Sequence, residues 1–226
     1  MRYGGVSTGT YAGFNLGDHV GDDPHAVARN RALLRDHLPA EPLWLKQVHG
    51  TTVACASGAC GTREADAGVA RRTNEICVVL TADCLPVLLC DRGGTVVGAA
   101  HAGWRGLAAG VIENTLALMG VDPSTLLAWL GPAIGPGAFE VGDEVRTLFL
   151  DDNTAAASAF TVHAPGKWLA DIYHLARLRL ARAGVRQVYG GDFCTFREYE
   201  RFFSYRRDGK TGRMASLIWI NKPFPR

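Results

Sequence analysis

Apolar residues arrive in short blocks separated by glycine-rich connections, and the period within each block predicts its conformation. LWLKQV (43–48) alternates as a half-buried strand does, and TTVACA (51–56) reads as its hairpin partner. ICVVL (76–80), PVLLC (86–90) and TVVGAA (95–100) are continuous apolar runs of strand length, the last two joined into a hairpin at Gly93-Gly94. From Trp104 to Met119 the period changes. Leu107, Ala108, Val111, Thr115, Leu118 and Met119 share one helical stripe, and Gly120 supplies the stop.

An earlier helix opens at Asp23-Pro24 and runs to Leu38, with Asp23 as N-cap and Pro24 at the first helical position. LLAWL (126–130), VRQVYG (185–190) and ASLIWI (215–220) add strands. Glu144–Leu150 and Lys167–Ala183 add helices, the second ended by Gly184. The opening GGVSTGTYAGFNLGDHVGDD reads as an extended, turn-rich arm. Strands outnumber helices and several neighbours pair antiparallel, so the predicted class is α+β, a mixed β-sheet system flanked by helices. A chain of 226 residues fills one core and leaves a second cramped, so residues 1–226 are expected to form one domain.

Composition narrows the range of partners. Hydrophobic residues make up 47% and charged residues 20%, with a mean hydropathy of +0.02. These values suit a globular protein. No apolar stretch reaches the ~18 residues of a membrane span, and no signal segment is present, so a cytoplasmic protein that does not engage membranes is expected. A net charge of +2 without a basic run gives no footprint for nucleic acid. Six cysteines, at 55, 60, 77, 84, 90 and 194, are then expected as thiols. None forms a CxxC pair.

Against this background TADCLP (81–86) stands out, because Cys84 beside Asp83 interrupts two strand-like runs. His49 in KQVHG and His101 in AAHAGWRG also end predicted strands and precede glycines. Such positions project side chains from a rigid scaffold into clefts. One cysteine and two histidines form a sensible zinc set with a fourth position open. The separations are long, and the same residues equally suit a buried thiol and two hydrogen-bonded histidines. Asp83 suits either a partner orienting a ligand or a turn residue. Lys46 and Gln47 could face the same cleft. Cys77 and Cys90 read as packing, and Cys55 and Cys60 flank a loop. His19, His25 and His37 read as solvated, while His163 and His174 have no recognisable partner.

Next to His101, Gly103, Trp104, Arg105 and Gly106 occupy a predicted helix start, where free N–H groups and the Arg105 guanidinium favour an anion. Trp104 suits stacking on a flat ring or capping the core. Arg206 and Arg207 precede an Asp-Gly turn and suit either an anion clamp or a solvated hairpin.

GGVSTGTYAGFNLGDHVGDDP, WLKQVHG, TADCLPVLLCD, AAHAGWRGLAAGVIENTL, LGPAIGPGAFEVGDEV and FFSYRRDGKTGR, in this order, resemble the YfiH family, whose members carry a multicopper polyphenol oxidase (laccase) domain label. The resemblance implies a fold shared with cysteine hydrolases of the cytotoxic necrotizing factor type. It further implies a metal-binding and catalytic trio at His49, Cys84 and His101. Family members usually carry a further strand before GGVS, whereas this chain begins at Met1-Arg2, so a loosely anchored arm is expected, with Arg2 not a site residue.

Three activities are associated with the family, and the residues discriminate among them. Laccase-type oxidation uses several coppers held by HxH pairs, and the sequence contains no HxH, so copper ranks below zinc. Purine nucleoside phosphorolysis on adenosine, inosine or methylthioadenosine fits a three-ligand zinc beside an arginine able to grip phosphate. Adenosine deamination would use water instead, although the HxE…PCxxC signature is absent. A hydrolase with Cys84 as nucleophile and His101 as base, editing peptidoglycan precursors as an amidase, is the alternative. A zinc-stabilised binding module is a third class, for which a fourth protein ligand is lacking unless Asp83 supplies it.

Overall fold

The computed structural model describes residues 1–57 and 63–221. In chain order its strands are β1 (Val53–Cys55), β2 (Ala67–Ala70), β3 (Ile76–Thr81), β4 (Leu85–Asp91), β5 (Val97–Ala102), β6 (Leu126–Leu130), β7 (Glu140–Gly142), β8 (Phe160–Ala164), β9 (Lys167–Ala170), β10 (Gln187–Gly190) and β11 (Met214–Trp219). The α-helices are α1 (Pro24–Arg35), α2 (Trp104–Ala109), α3 (Val111–Met119), α4 (Asp143–Asp152), α5 (Ile172–Arg182) and α6 (Tyr205–Asp208). The class is α+β with mixed sheets, as expected.

A six-stranded sheet in the order β1-β2-β5-β4-β6-β10 forms the centre. Its outer pairs β1–β2 and β10–β6 are parallel, and the inner pairs are antiparallel. Side-chain alternation along the inner strands separates two cores. Val87 and Leu89 of β4, with Ala100 and Ala102 of β5, face one side and join Val111, Ile112, Leu116, Leu175 and Leu180 from α3 and α5. Val97 and Ala99 face the other side, where Cys77 and Val79 of β3 pack with them and Leu88 and Ile218 complete the cluster. There β3 pairs antiparallel with β11 as a separate ribbon. Helices, sheet and ribbon thus form three layers, each burying its apolar face. A smaller sheet, β7-β9-β8, adds Val141, Phe160 and Ala170 to the larger core.

Several sequence expectations need correction. Residues 43–48 form no strand; only isolated bridges, Leu43 to Cys77 and Lys46 to Glu64, are made. The Gln47 side chain replaces backbone there: its Nε2 donates to Leu80 O at 2.9 Å and its Oε1 accepts from Leu80 N at 2.7 Å. The 51–56 run therefore has no hairpin partner, and β1 pairs parallel with β2 instead. The helix expected over Trp104–Met119 is two helices, because Gly110 adopts φ 100° and ends α2 while beginning α3. That left-handed conformation is open to glycine at little cost. The helix expected from Lys167 starts only after Asp171, whose side chain caps α5. The preceding Lys167–Ala170 is a strand paired with β7 and β8.

The arm is firmly held, contrary to expectation. Arg2 N donates to Arg201 O at 3.0 Å, Phe14 N donates to Arg2 O at 2.7 Å, and the Arg2 guanidinium lies 4.5 Å from the Phe203 ring. Buried Asn30 of α1 gathers it further, donating to Asn15 O and Ser7 Oγ and accepting from Val6 N. Cys55 is disulfide-bonded, so the expectation of six thiols fails there; Cys60 lies outside the described residues. Cys77, Cys84, Cys90 and Cys194 are free thiols. His163 and His174 have partners after all, Glu140 at 3.5 Å and the Ser158 hydroxyl at 2.8 Å.

Candidate active site

The β4–β5 hairpin explains how Cys84 meets His101 across a long sequence gap. Its register pairs Leu85 with Ala102 and Pro86 with His101, so Cys84, just before β4, lies at the open end beside the last residues of β5. His49 approaches from the loop after residue 48, and its ring meets that of His101 edge-on with centroids 4.9 Å apart. One donor atom from each of His49, Cys84 and His101 lies within 4.8 Å of the other two. Among the described residues no other grouping of three or more His, Cys, Asp or Glu has this proximity. His101 is buried, Cys84 half-buried and His49 exposed, so the cluster opens to one side.

Asp66, which sequence reading passed over, organises this cluster. Pairing of β2 with β5 sets it opposite His101, whose N–H donates to Asp66 O at 2.7 Å. Its carboxylate lies 2.8 Å from His101 Nδ1. The same carboxylate accepts from the backbone N–H groups of Val48, His49 and Gly50 at 3.1, 2.9 and 2.7 Å. Burial alone would push the Asp66 pKa up. The hydrogen bonds from His101, Gly50 and Val48 and the charge of His101 reverse this, and the carboxylate is held ionised. With Nδ1 engaged, Nε2 of His101 faces Cys84.

Burial pushes the Cys84 thiol up as well, but the charge of His101 and hydrogen bonds from His101 and His49 overcome it and bring the pKa down to about 6. Burial lowers His101, while Cys84 and Asp66 together raise it to about 9. At neutral pH the metal-free pair is therefore thiolate and imidazolium. Cys77 contrasts with this: burial drives its pKa to about 12, so it is an inert packing thiol.

Two site residues hold backbone conformations unfavourable for side chains. His49 has φ 60° and Asp83 φ 91°. Such positions cost about 1–3 kcal/mol each and persist only where the surroundings enforce them. Asp66 enforces the first. The second is fixed by Asp83 itself: Oδ1 accepts from Thr195 Oγ1 at 2.6 Å, Oδ2 from Arg206 N at 2.6 Å, and its carbonyl from Ile134 N at 2.9 Å. Asp83 thus locks the turn that presents Cys84 and does not touch a histidine. Gly103 admits the start of α2 to the cluster, since a Cβ there would stand 2.8 Å from Cys84 Sγ.

Two arms of a cleft meet at the cluster, sharing His49, Cys84, Arg105 and Tyr205. One, of about 260 Å³, continues between Trp104, Ile134, Phe139, Ile172 and Arg206. The other, of about 440 Å³, continues past Gln47, His19, His101 and Arg213. Arg105 is exposed, stacks on Trp104 at 4.3 Å and makes no ion pair among the described residues. Trp104 both lines the cleft and packs against the core. Arg206 lines the first arm while its Nη1 donates to Glu140 O at 3.0 Å. Arg207 is not available as an anion clamp, because it donates to the carbonyls of Thr195, Phe196 and Phe202 and pairs with Asp208. Lys46 points elsewhere and pairs with Glu64 at 2.8 Å. Arg213 went unremarked in the sequence, where it reads as one more charge after the turn.

The donor chemistry fits a transition-metal ion. A sulfur already favoured as thiolate and two imidazoles, one with its tautomer set by a carboxylate, form the ligand pattern of an open metal site.

Such a centre, at the mouth of a three-layer α+β fold, defines the class. The chain belongs to the family described as multi-copper polyphenol oxidoreductase laccase, which it matches over residues 1–221. It is similar to the purine nucleoside phosphorylase YfiH of Escherichia coli, 54% identical over 222 residues covering 97% of this chain and 91% of that protein. A purine nucleoside phosphorylase of Pseudomonas aeruginosa is 55% identical over 220 residues, covering 97% and 90%. Among solved structures, the Neisseria meningitidis protein NMB0706 superposes with a TM-score of 0.94 at 55% identity, covering 98% of this chain and 92% of that one. YlmD from Geobacillus stearothermophilus gives 0.88 at 31% identity, covering 98% and 90%.

No described helix is long and apolar enough to cross a membrane.

Proposed function

We propose that this protein is a zinc-dependent purine nucleoside phosphorylase acting on adenosine, inosine or methylthioadenosine. The observation that carries the reading is the two-armed cleft joined at His49 and Cys84, which suits a reaction of two substrates. The arm walled by Trp104, Phe139 and Tyr205 offers flat apolar surface for a purine. The arm with Gln47 and Arg213 offers polar surface for phosphate, and Arg105 borders both. In phosphorolysis the ribose C1′–N9 bond breaks, a phosphate oxygen bonds to C1′, and the base leaves. The chain's part is to hold the two reactants in line, exclude water and orient the phosphate charge. Zinc, held by His49, Cys84 and His101, would supply Lewis-acidic positive charge beside the reacting oxygen. The names of the similar proteins from Escherichia coli and Pseudomonas aeruginosa support the same reading.

Metal-replete protein incubated with inosine should release hypoxanthine and ribose 1-phosphate only when phosphate is present. Base release indifferent to phosphate would overturn the reading. Ammonia from adenosine in the same assay tests the deaminase side activity.

A second reading has its own support. Cys84, His101 and Asp66 line up as nucleophile, base and orienting carboxylate, with the thiol already lowered. That is the arrangement of a cysteine amidase, as peptidoglycan-precursor editing would require. Release of an amino acid from a muropeptide by metal-free protein, abolished by Cys84→Ala, would favour it over phosphorolysis.

A further inference from the structure

The arginines around the cleft, exposed Arg206 and half-buried Arg207 and Arg213, differ in what occupies their donors. Arg206 spends Nη1 on Glu140 O, and Arg207 is saturated by three carbonyls and Asp208. Arg213 has no carboxylate partner among the described residues. Its Nη1 donates to Thr211 O and Gly212 O at 2.9 and 3.1 Å, which fixes the plane of the guanidinium and uses one edge only. Nε and Nη2 make no hydrogen bond among the described residues.

The base of the side chain is fixed too. Arg213 N donates to Asn15 Oδ1 at 2.8 Å, and its carbonyl accepts from Leu16 N at 3.1 Å. Gly17 presses so closely that a Cβ there would lie 2.8 Å from Arg213 Cγ. The guanidinium stands 5.8 Å from the Tyr205 ring and lines the same arm as Cys84 and Arg105. Asp83, whose charge reaches Arg213, has both oxygens committed to Thr195 and Arg206. A half-buried, rigid cation that makes no ion pair among the described residues, and has only the charges of Cys84 and Asp83 near it, keeps a free edge for a negatively charged ligand. A planar fork with a free edge matches two oxygens of a tetrahedral anion.

We infer that Arg213 is the principal anchor for inorganic phosphate, held in the polar arm, with Arg105 as the second cation. Phosphate as reactant rests on the phosphorylase reading; the anion site itself does not.

Calorimetric titration of inorganic phosphate into metal-loaded protein, alongside phosphorolysis kinetics, separates the two. Arg213→Met should weaken phosphate binding and raise the KM for phosphate by about 10–100-fold, the range of a lost charge-assisted pair. The KM for inosine should change far less, within about twofold, since Tyr205 alone of the base arm's walls stands beside Arg213. Unchanged phosphate affinity in R213M, or no phosphate binding by the wild type, overturns the inference. Phosphorolysis that proceeds with a normal phosphate KM in R213M sinks the inference and leaves the phosphorylase reading standing. Arg213-dependent phosphate binding without nucleoside cleavage does the reverse. Should R213M fail to fold, Arg213→Gln, which keeps an amide donor for the Thr211 and Gly212 carbonyls, carries the same readout.

Discussion

The Asp66 carboxylate reaches His101 Nδ1 at 2.8 Å and, through the same oxygen, accepts the His49 N–H at 2.9 Å. One buried side chain therefore sets the ring of one candidate ligand and the backbone of another. Replacing it by asparagine puts an amide N–H₂ where an acceptor is needed. Asp66→Asn should lower metal affinity about 10–100-fold and cost about 1–3 kcal/mol for each buried N–H left unpaired. Chelator competition and denaturant unfolding check the two effects separately.

Cys84 can serve as ligand or as nucleophile, and substitution distinguishes these. If it is a ligand, Cys84→Ala loses metal and turnover together, with metal content measured by elemental analysis. If it is the nucleophile, metal content is retained while turnover falls by about 10³-fold or more.

In metal-free protein the thiolate should titrate near pH 6, as followed by ultraviolet absorbance or alkylation rate. The linked stability has a definite sign for each group. Cys84 is depressed, so its contribution is complete above pH 9 and lost as pH falls toward 6. His101 is raised, so its contribution is complete below pH 6.5 and lost as pH rises through about 9. Over that window the slopes oppose, and the pair leaves metal-free stability nearly level. Cys84→Ala removes one slope. It also removes the largest of the influences that raise His101, so the His101 pKa should fall from about 9 in that variant, as followed by NMR titration. A His101 titration unchanged by the substitution counts against the geometry.

Gly103 tolerates no side chain. Gly103→Ala drives a methyl to 2.8 Å from Cys84 Sγ and 3.4 Å from His49 Cδ2. A stability loss of about 1–3 kcal/mol is expected, with weakened metal binding. Thermal unfolding with and without added zinc measures both.

Tyr173 secures the wall that carries Ile134. Its hydroxyl accepts from Ala133 N at 2.8 Å and donates to Phe193 O at 2.9 Å, and burial raises its pKa. Tyr173→Phe should cost about 1–3 kcal/mol by orphaning the buried Ala133 N–H. It should also raise the KM for nucleoside more than that for phosphate.

Local signals made part of this architecture legible. Gly93-Gly94 between two apolar runs foretold the β4–β5 hairpin, and that hairpin brings Cys84 to His101. Asp23-Pro24 foretold the start of α1. Asp66 was not legible because its partners, His49 and His101, lie 17 and 35 residues away and only strand pairing joins them. The strand at Lys167–Ala170 was lost because its apolar residues also fit the helix that follows, and pairing with β8 decided the matter. Gly110 lies inside the continuous apolar stripe of Trp104–Met119, and only its left-handed backbone reveals the break.

The bond between Asn15 and Arg213 spans 198 residues. The turn that presents Cys84 is likewise held from far along the chain, by Thr195 and Arg206 on Asp83. Both ends of the cleft therefore wait on the last part of the polypeptide, and a nascent chain stopped short of Thr195 would carry His49, Cys84 and His101 without the brace that aims the thiol.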